Sequence, residues 1–444
     1  MAPSATGDQL PMHLPTASKA STINASVLYG PRDLRLERRV IEEPGVGELQ
    51  IAVHTTGICG SDVSYYKKFA NGDLCACMPL SLGHESSGTV VAIGPQVTGF
   101  RIGDRVALEV GIPCSKCGIC WQGRYNLCKK MRFRSSAKSV PHFQGTLQER
   151  INHPAEWCHK LPDSISFDAA ALLEPLSVAI HAVNRAQPAP GSSALVIGAG
   201  AVGLLTAAMA RQSGCSTVII ADVDQGRVDF AISKGFATHG YVVERPLQPP
   251  SPLYTPSCSG TSTPLEGVMT PNSISTQTKF EHAKALAADM LAQARTSGSA
   301  TAFSGLDDDD DEDSDGVDVT FECTGKEECM HTSLYATRAG GKVIMVGMGT
   351  PVQTLPLSVA HLREIDILGI FRYANTYATG IKLLKARERA LRAAGGAGGY
   401  VLPSLDDMVT HRFKGLENAH RAFELASRTS DENGNLVLKV VIEA

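Results

Sequence analysis

The 444-residue chain is predicted to be an α/β protein of two domains, one β-rich and one built on a doubly wound parallel sheet. Three observations lead there. Short alternating runs separated by turn residues fill positions 23 to about 110. From about residue 168, helical patterns alternate with short apolar strands, as in a parallel sheet covered on both faces. A glycine-rich turn, Gly198-Ala199-Gly200-Ala201-Val202-Gly203, sits where one of those strands runs into a helix.

In chain order, Ala25–Leu28, Leu49–Val53 and Gly88–Ile93 read as strands, punctuated by Gly30-Pro31, Pro44-Gly45 and Gly103-Asp104. A cysteine-bearing lobe at 111–130 follows as a loop. Phe167–Ala186 reads as a helix, Ala194–Ile197 as a strand, Val202–Ser213 as a helix and Val218–Ala221 as a strand. Arg227–Ser233 is a helix that Gly235 ends. Val317–Glu322, Lys342–Val346 and Ile365–Ile370 continue the strand series. After 375 come a helix at Gly380–Ala394 and strands near Val409–Phe413 and Leu436–Ile442. These late strands are expected to complete the first domain, whose edges need partners. The chain thus divides into a flexible tail at 1–22, a β-rich domain at 23–174 and 375–444, and a parallel-sheet domain at 175–374. Residues 245–315 interrupt the latter. They are Pro/Ser/Thr-rich and then acidic, with helical character only at Phe280–Arg295, and are expected to be mostly a disordered surface insertion.

Composition narrows the function. Hydrophobic residues at 43% and charged residues at 19% describe an ordinary globular chain. The net charge of −4 hides a local feature, because residues 307–315 carry eight acidic groups and the remainder stands at +4. That near-neutral body argues against nucleic acid and membrane surfaces as partners. The longest uncharged apolar run, Ala194 to Ala210, contains three glycines and reads better as strand–turn–helix than as a membrane span. The start lacks an apolar signal core and has no arginine before Arg32, so a cytoplasmic location is expected. Twelve cysteines in such a chain suit metal ligands and free thiols better than disulfides. Cys75, Cys77, Cys158, Cys215, Cys258, Cys323 and Cys329 are expected to be plain thiols.

Three constellations carry chemistry. The first is the glycine turn. Gly198 permits the tight turn, Gly200 lets the backbone approach a pyrophosphate, and Gly203 allows close helix–strand packing. Asp222 ends the next strand, 19 residues after Gly203, where a carboxylate accepts from ribose hydroxyls and repels a 2′-phosphate. This points to NAD, although Arg227 nearby could pair with that phosphate. The second is Cys59 with His84-Glu85, a thiolate, an imidazole and a carboxylate flanked by glycines, which together suit an open, catalytic zinc site. Spacing alone makes this set weak. Glu174, an acid in the apolar helix start Leu172-Leu173-Glu174-Pro175, strengthens it as a group that reaches the metal or its water. The third is Cys114-x2-Cys117-x2-Cys120-x7-Cys128, four thiolates at the spacing of a structural zinc. An iron–sulfur cluster is the rival occupant, and the peripheral position of the lobe speaks against it.

These residues, with GICGSDVSYY, LGHESSG, GRYNLC, LLEPLSVAIHA, FECTG, VGMG and GIFRY in the same order, give a chain that resembles the zinc-dependent medium-chain dehydrogenases. The polyol branch, sorbitol, xylitol and L-arabinitol dehydrogenases, is the nearest in pattern. The resemblance covers roughly 25–444 apart from the insertion. It implies a GroES-like catalytic domain and a Rossmann coenzyme domain with the site between them. It implies that Cys59, His84 and Glu85 hold the catalytic zinc and that Glu174 holds its water or exchanges with it. Simple alcohol dehydrogenases would want a cysteine at the Glu174 position. It assigns Tyr65, Arg372 and Tyr373 to the polyol, and Val202, Asp222, Arg227, Val346, Gly347, Met348, Ile370, Phe371 and Arg372 to NAD. Phe133-Arg134-Ser135-Ser136-Ala137-Lys138 departs from the usual apolar segment lining the substrate pocket, so Phe133 is a substrate-facing candidate and the substrate is open at that point.

The expected reaction is reversible oxidation of a secondary hydroxyl of a polyol to a ketose. Zinc lowers the pKa of water from 15.7 to about 7 and would do likewise for a bound alcohol, whose hydride passes to nicotinamide. Ser61 and the water near Glu174 are candidate proton-relay members, and a turn serine bonding its own backbone is the plainer role for Ser61. The family suggests a homotetramer. Two other readings stand beside this one: a zinc dehydrogenase of another alcohol or amino alcohol, of the threonine or butanediol type, and a non-catalytic NAD-binding regulator. Phe371-Arg372-Tyr373 speaks against the first and the complete open metal set against the second.

Overall fold

Alternation of buried and exposed side chains builds the first sheet. In Glu48–Gly57, Leu49, Ile51 and Val53 are buried on one face. They pack with Val90, Val106, Leu108 and Ile151 from its neighbours. The computed structural model describes residues 20–244, 271–297, 316–393 and 400–444. Its antiparallel-rich sheet runs Cys158–Lys160, Arg105–Leu108, Glu85–Ile93, Glu48–Gly57, Lys439–Glu443 and Val409–Lys414, with Arg150–Pro154 also paired to Glu48–Gly57. The two late strands therefore enter the sheet of the N-terminal half, Lys439–Glu443 antiparallel to Glu48–Gly57 and Val409–Lys414 parallel to Lys439–Glu443. A separate ribbon pairs Ser21–Gly30 with Asp33–Ile41. Its first strand begins at Ser21, two residues inside the expected tail. Most of that tail lies outside the described residues.

The second sheet is parallel, in the order His239–Val242, Thr217–Asp222, Ser193–Ile197, Val317–Glu322, Thr337–Met345, Asp366–Gly369. Strand order reverses between Ser193–Ile197 and Val317–Glu322, and a crevice opens at such a switch point beyond the carboxyl ends of the strands. Every residue of Ser193–Ile197 is buried, as two covered faces require.

The structure corrects the sequence reading in two places. The expected helix Phe167–Ala186 is two helices, Phe167–Ala171 and Leu173–Ala186, broken at Leu172. The break leaves Glu174 in the first turn of the second helix, next to the helix-start proline Pro175. Within 245–315, the helix is longer than expected, Pro271–Ser297, and it is a layer of the fold. Ala287, Met290, Leu291 and Ala294 are buried against Leu195, Ile197, Ile219, Ala221 and Val317 of the parallel sheet, and Ala283, one turn before Ala287, is buried too. Their spacing marks an apolar stripe that the polar flanks obscure. The expected disorder of 245–270 and 298–315 concerns residues outside those described.

Helix Leu173–Ala186 bridges the two sheets. It packs on Ala201–Gln212 and on Tyr377–Arg392, where Gly380 faces Leu173 so closely that a Cβ would lie 2.8 Å from its Cδ2. No described helix is long and apolar enough to cross a membrane.

Candidate active site

Strand pairing brings the open set together. Glu48–Gly57 and Glu85–Ile93 pair with Gly57 opposite Glu85, and Cys59 follows two residues later as the cap of helix Gly60–Lys68. Glycine is needed at both approaches. A Cβ on Gly57 would lie 2.4 Å from Glu85 Oε2, and Gly83 has φ +94°. The Cys59 Sγ, a His84 ring nitrogen and a Glu85 oxygen all lie within 4.8 Å of one another. His84 and Glu85 are buried and Cys59 is half-buried, which leaves one side open. A thiolate, an imidazole and a carboxylate so arranged fit a zinc ion with a free position.

Two residues that the sequence reading did not single out hold these donors. Asp62 Oδ1 accepts from His84 Nδ1 at 3.2 Å, from Gly83 N at 3.3 Å and from Ser135 Oγ at 2.6 Å. Its Oδ2 accepts from Cys59 N at 3.3 Å. This buried carboxylate turns His84 Nε2 toward the open side, as a carboxylate behind a metal-binding histidine does. Ser61 Oγ is 3.4 Å from that Nε2. Lys439 Nζ donates to Glu85 at 2.9 and 2.6 Å and to the Ile58 carbonyl at 3.2 Å, with both charged groups almost wholly buried. A signal for Lys439 was present, a lone cation inside the apolar run Leu436-Val437-Leu438-Lys439-Val440-Val441-Ile442.

Burial opposes a charged His84, but the Asp62 carboxylate and Cys59 outweigh it and raise the imidazole pKa. Glu174 is 5% exposed. Burial pushes its pKa up to about 7, with His84 opposing and Glu85 adding to the rise. A carboxyl poised there can hold or pass a proton near neutral pH.

The expected substrate residues surround the same opening. The Phe133 ring centroid is 5.5 Å from that of His84, and the Arg372 guanidinium lies 3.6 Å over the Phe133 ring. Arg372 Nη1 and the Tyr373 hydroxyl are buried and make no hydrogen bond to described residues. Tyr65 is buried, and its hydroxyl accepts from Ala137 N at 3.1 Å, so it supports the departing segment after Phe133. Within that segment, Arg134 donates to His153 Nδ1, Gln144 O and Asn152 O, and burial lowers its pKa to about 10.

The four lobe cysteines converge as well, with every Sγ within 4.8 Å of the others. Cys117 Sγ is 3.4 Å from Cys120 Sγ and 4.0 Å from Cys128 Sγ. A tetrahedron with metal–sulfur bonds of about 2.3 Å has edges of about 3.8 Å, so the quartet fits one zinc. All described cysteines are free thiols.

At the switch point, Gly198 has φ +102°, and a Cβ there would lie 2.8 Å from Thr324 Cγ2. A Cβ on Gly203 would meet the Gly198 carbonyl at 1.7 Å. Gly200 opens the helix Ala201–Gln212 that holds Val202 in its first turn. Asp222 Oδ2 accepts from Ala199 N at 2.6 Å and Oδ1 from Asp224 N at 3.0 Å, so the carboxylate also shapes the glycine loop. Arg227 leans over Gly200, and its buried Nε has no described partner, as a site for an anionic ligand would leave it. Across the crevice, Glu322 is buried and accepts from Thr324 N and Gly325 N, while its carbonyl accepts from Val346 N and Gly347 N. Met348 and Phe371 are exposed and Ile370 is half-buried along this rim. Glu322, overlooked in the sequence reading of FECTG, is what ties the two loops.

Comparison with known proteins identifies the two domains and the family. Residues 45–163 match the alcohol dehydrogenase GroES-like domain and residues 273–386 match the zinc-binding dehydrogenase domain. The chain is 34% identical over 404 residues to sorbitol dehydrogenase of Gallus gallus, covering 91% of this chain and 93% of that one. It is 31% identical over 409 residues to L-idonate 5-dehydrogenase of Vitis vinifera, covering 91% of each. The solved L-idonate 5-dehydrogenase of Escherichia coli shares the fold, with a TM-score of 0.73 at 22% identity, over 97% of this chain and 100% of that one. The chain belongs to the zinc-dependent medium-chain dehydrogenases, an oxidoreductase family, and within it to the polyol dehydrogenase branch.

Proposed function

We propose that the protein reversibly oxidises a secondary hydroxyl of a polyol of the sorbitol, xylitol or L-arabinitol kind to a ketose, with NAD as acceptor. The observation that carries this reading is the meeting of two features at one opening. The Cys59, His84 and Glu85 donors face it, and so do the buried Arg372 Nη1 and Tyr373 hydroxyl that have no described partner. A substrate rich in hydroxyls supplies the missing partners.

Zinc held by Cys59, His84 and Glu85 supplies Lewis acidity toward a substrate oxygen, and bound NAD supplies the hydride acceptor. The protein groups do the rest. Asp62 fixes the imidazole so that Nε2 faces the opening. Glu174, buried at the start of the bridging helix beside the opening, takes the hydroxyl proton directly or through water. Ser61 is placed to extend that relay beside His84. Arg372 and Tyr373 donate to hydroxyls away from the reacting carbon, and Phe133 and Tyr65 wall the site against solvent. The Asp222 carboxylate supports NAD over NADP. A second zinc, structural, belongs to Cys114, Cys117, Cys120 and Cys128. A homotetramer is the assembly that family membership supports.

A screen of NAD reduction over sorbitol, xylitol, L-arabinitol, galactitol and threonine tests the reading. Turnover of at least one polyol is expected, with threonine inert. Activity with NADP alone would overturn the role of Asp222, and turnover of threonine without any polyol would overturn the substrate class.

A further inference from the structure

The cysteine lobe does more than close on itself. Asn126, 4% exposed within the lobe, donates through Nδ2 to the Phe371 carbonyl at 2.8 Å. The Tyr125 hydroxyl accepts from Asn375 N at 2.7 Å and donates to Glu109 Oε1 at 2.6 Å. Asn375 Nδ2 donates to the Gly123 carbonyl at 2.8 Å. Positions 371 and 375, on either side of Arg372-Tyr373, are thus both held from the lobe, across about 250 residues of sequence. Glu109 anchors the arrangement, since it is buried and also takes His159 Nε2 at 2.8 Å.

The segment needs such holding. Arg372 has φ 51°, a left-handed backbone that a residue of its kind keeps only when its surroundings impose it, and Asn375 has φ 59°, which asparagine adopts more readily. The Arg372 guanidinium must also stay over the Phe133 ring, and Phe133 sits in the strand Arg132–Phe133, which pairs with Gly111–Ile112 on the opposite side of the lobe. The lobe therefore grips both partners of that stack.

We propose that Tyr125, Asn126 and Asn375 are positioning residues, a clamp through which the four-cysteine lobe sets Arg372 and Tyr373 for recognition of substrate hydroxyls. The proposal rests on the reading of Arg372 and Tyr373 as polyol contacts. Loss of the clamp lets the segment relax toward ordinary backbone angles and withdraws two donors from the substrate. The loss is expressed in substrate affinity rather than in the zinc sites, whose ligands are untouched.

Asn126→Ala and Asn375→Gly test it in the full-length enzyme. The second variant keeps the positive φ and the backbone N–H at an exposed position, so it folds even if the buried Asn126 site does not tolerate alanine. Each is expected to raise the KM for the polyol that the wild type uses best by about tenfold, the worth of one hydrogen bond. The KM for NAD should rise by less than about threefold, with zinc content per chain unchanged. An unchanged polyol KM in Asn375→Gly would overturn the clamp. So would a proportional fall in both affinities with loss of zinc, which marks general loosening. A wild-type enzyme inert toward every polyol would overturn the substrate reading, and the clamp with it.

Discussion

Lys439 and Glu85 form a pair whose two members are 4% and 1% exposed, next to a carboxyl at Glu174 and a donor set that suits a dication. Burying such a pair without other compensation brings little stability, whereas removing one member of it is costly. With Glu85 as the proposed metal ligand, the pair would serve as charge balance: the ammonium would offset the carboxylate of an empty set and share it with a bound metal. Lys439→Met is therefore expected to destabilise the protein by about 3 kcal/mol when the open set is stripped of metal. Added zinc should recover most of the loss, because a cation again faces Glu85. Urea denaturation with and without zinc checks this, and an equal loss in both conditions contradicts it. Residues of this kind explain what the sequence concealed. Cys59, His84 and Glu85 could be named from their types and neighbouring glycines only in the company of Glu174, the cysteine quartet and the glycine turn. Lys439 lies 354 positions from Glu85 and Asn126 lies 245 from Phe371, so only the assembled sheets bring them into contact.

Among the elements, strands Ser193–Ile197 and Val317–Glu322 flank the switch point, and Asp318 joins them. It accepts from Ser193 N at 2.7 Å, from Ser193 Oγ at 2.8 Å and from Arg338 Nε at 2.9 Å. Partial burial alone would raise its pKa, but those hydrogen bonds and the guanidinium outweigh it, and the pKa is lowered. A carboxylate with a depressed folded-state pKa stabilises above its unfolded value, about 3.9, and that contribution is lost as pH falls through the folded value. Asp318→Asn is expected to cost about 1 kcal/mol at pH 7, discounted for a pair that is partly exposed. The difference from wild type should shrink as pH falls from about 3.9 through the lower folded-state value. Unfolding curves from pH 7 downward measure it, and a constant difference would count against the ion pair. Five of the six strands of this sheet were legible, at least in part, as short apolar runs close to a glycine or an acid, whereas the edge strand His239–Val242, four residues holding a histidine and a glycine, was not. The helix Pro271–Ser297 was half legible. Its stripe of Ala283, Ala287, Met290, Leu291 and Ala294 has helical period, but small residues among polar ones give little contrast, and its polar flanks made the whole stretch look like an insertion.

At the scale of the molecule, the two sheets meet through helix Leu173–Ala186, and the opening lies where its first turn, the strand ends of the antiparallel sheet and the 370–375 segment converge. Chemistry and recognition are supplied from different parts of the chain. In the proposed mechanism the metal set comes from the N-terminal sheet, its counter-charge from the last strand, the proton carrier from the bridging helix, and the donors for hydroxyls from a segment held by the cysteine lobe. This division predicts that the two metal sets can be separated. Zinc content measured on the wild type and on Cys59→Ser, alongside NAD reduction with a polyol, examines it. The wild type should hold two zinc ions per chain, and the variant one, with polyol oxidation lost and the fold retained. Two zinc ions in both proteins, or full activity in the variant, would contradict the assignment of Cys59, His84 and Glu85 as the catalytic metal set.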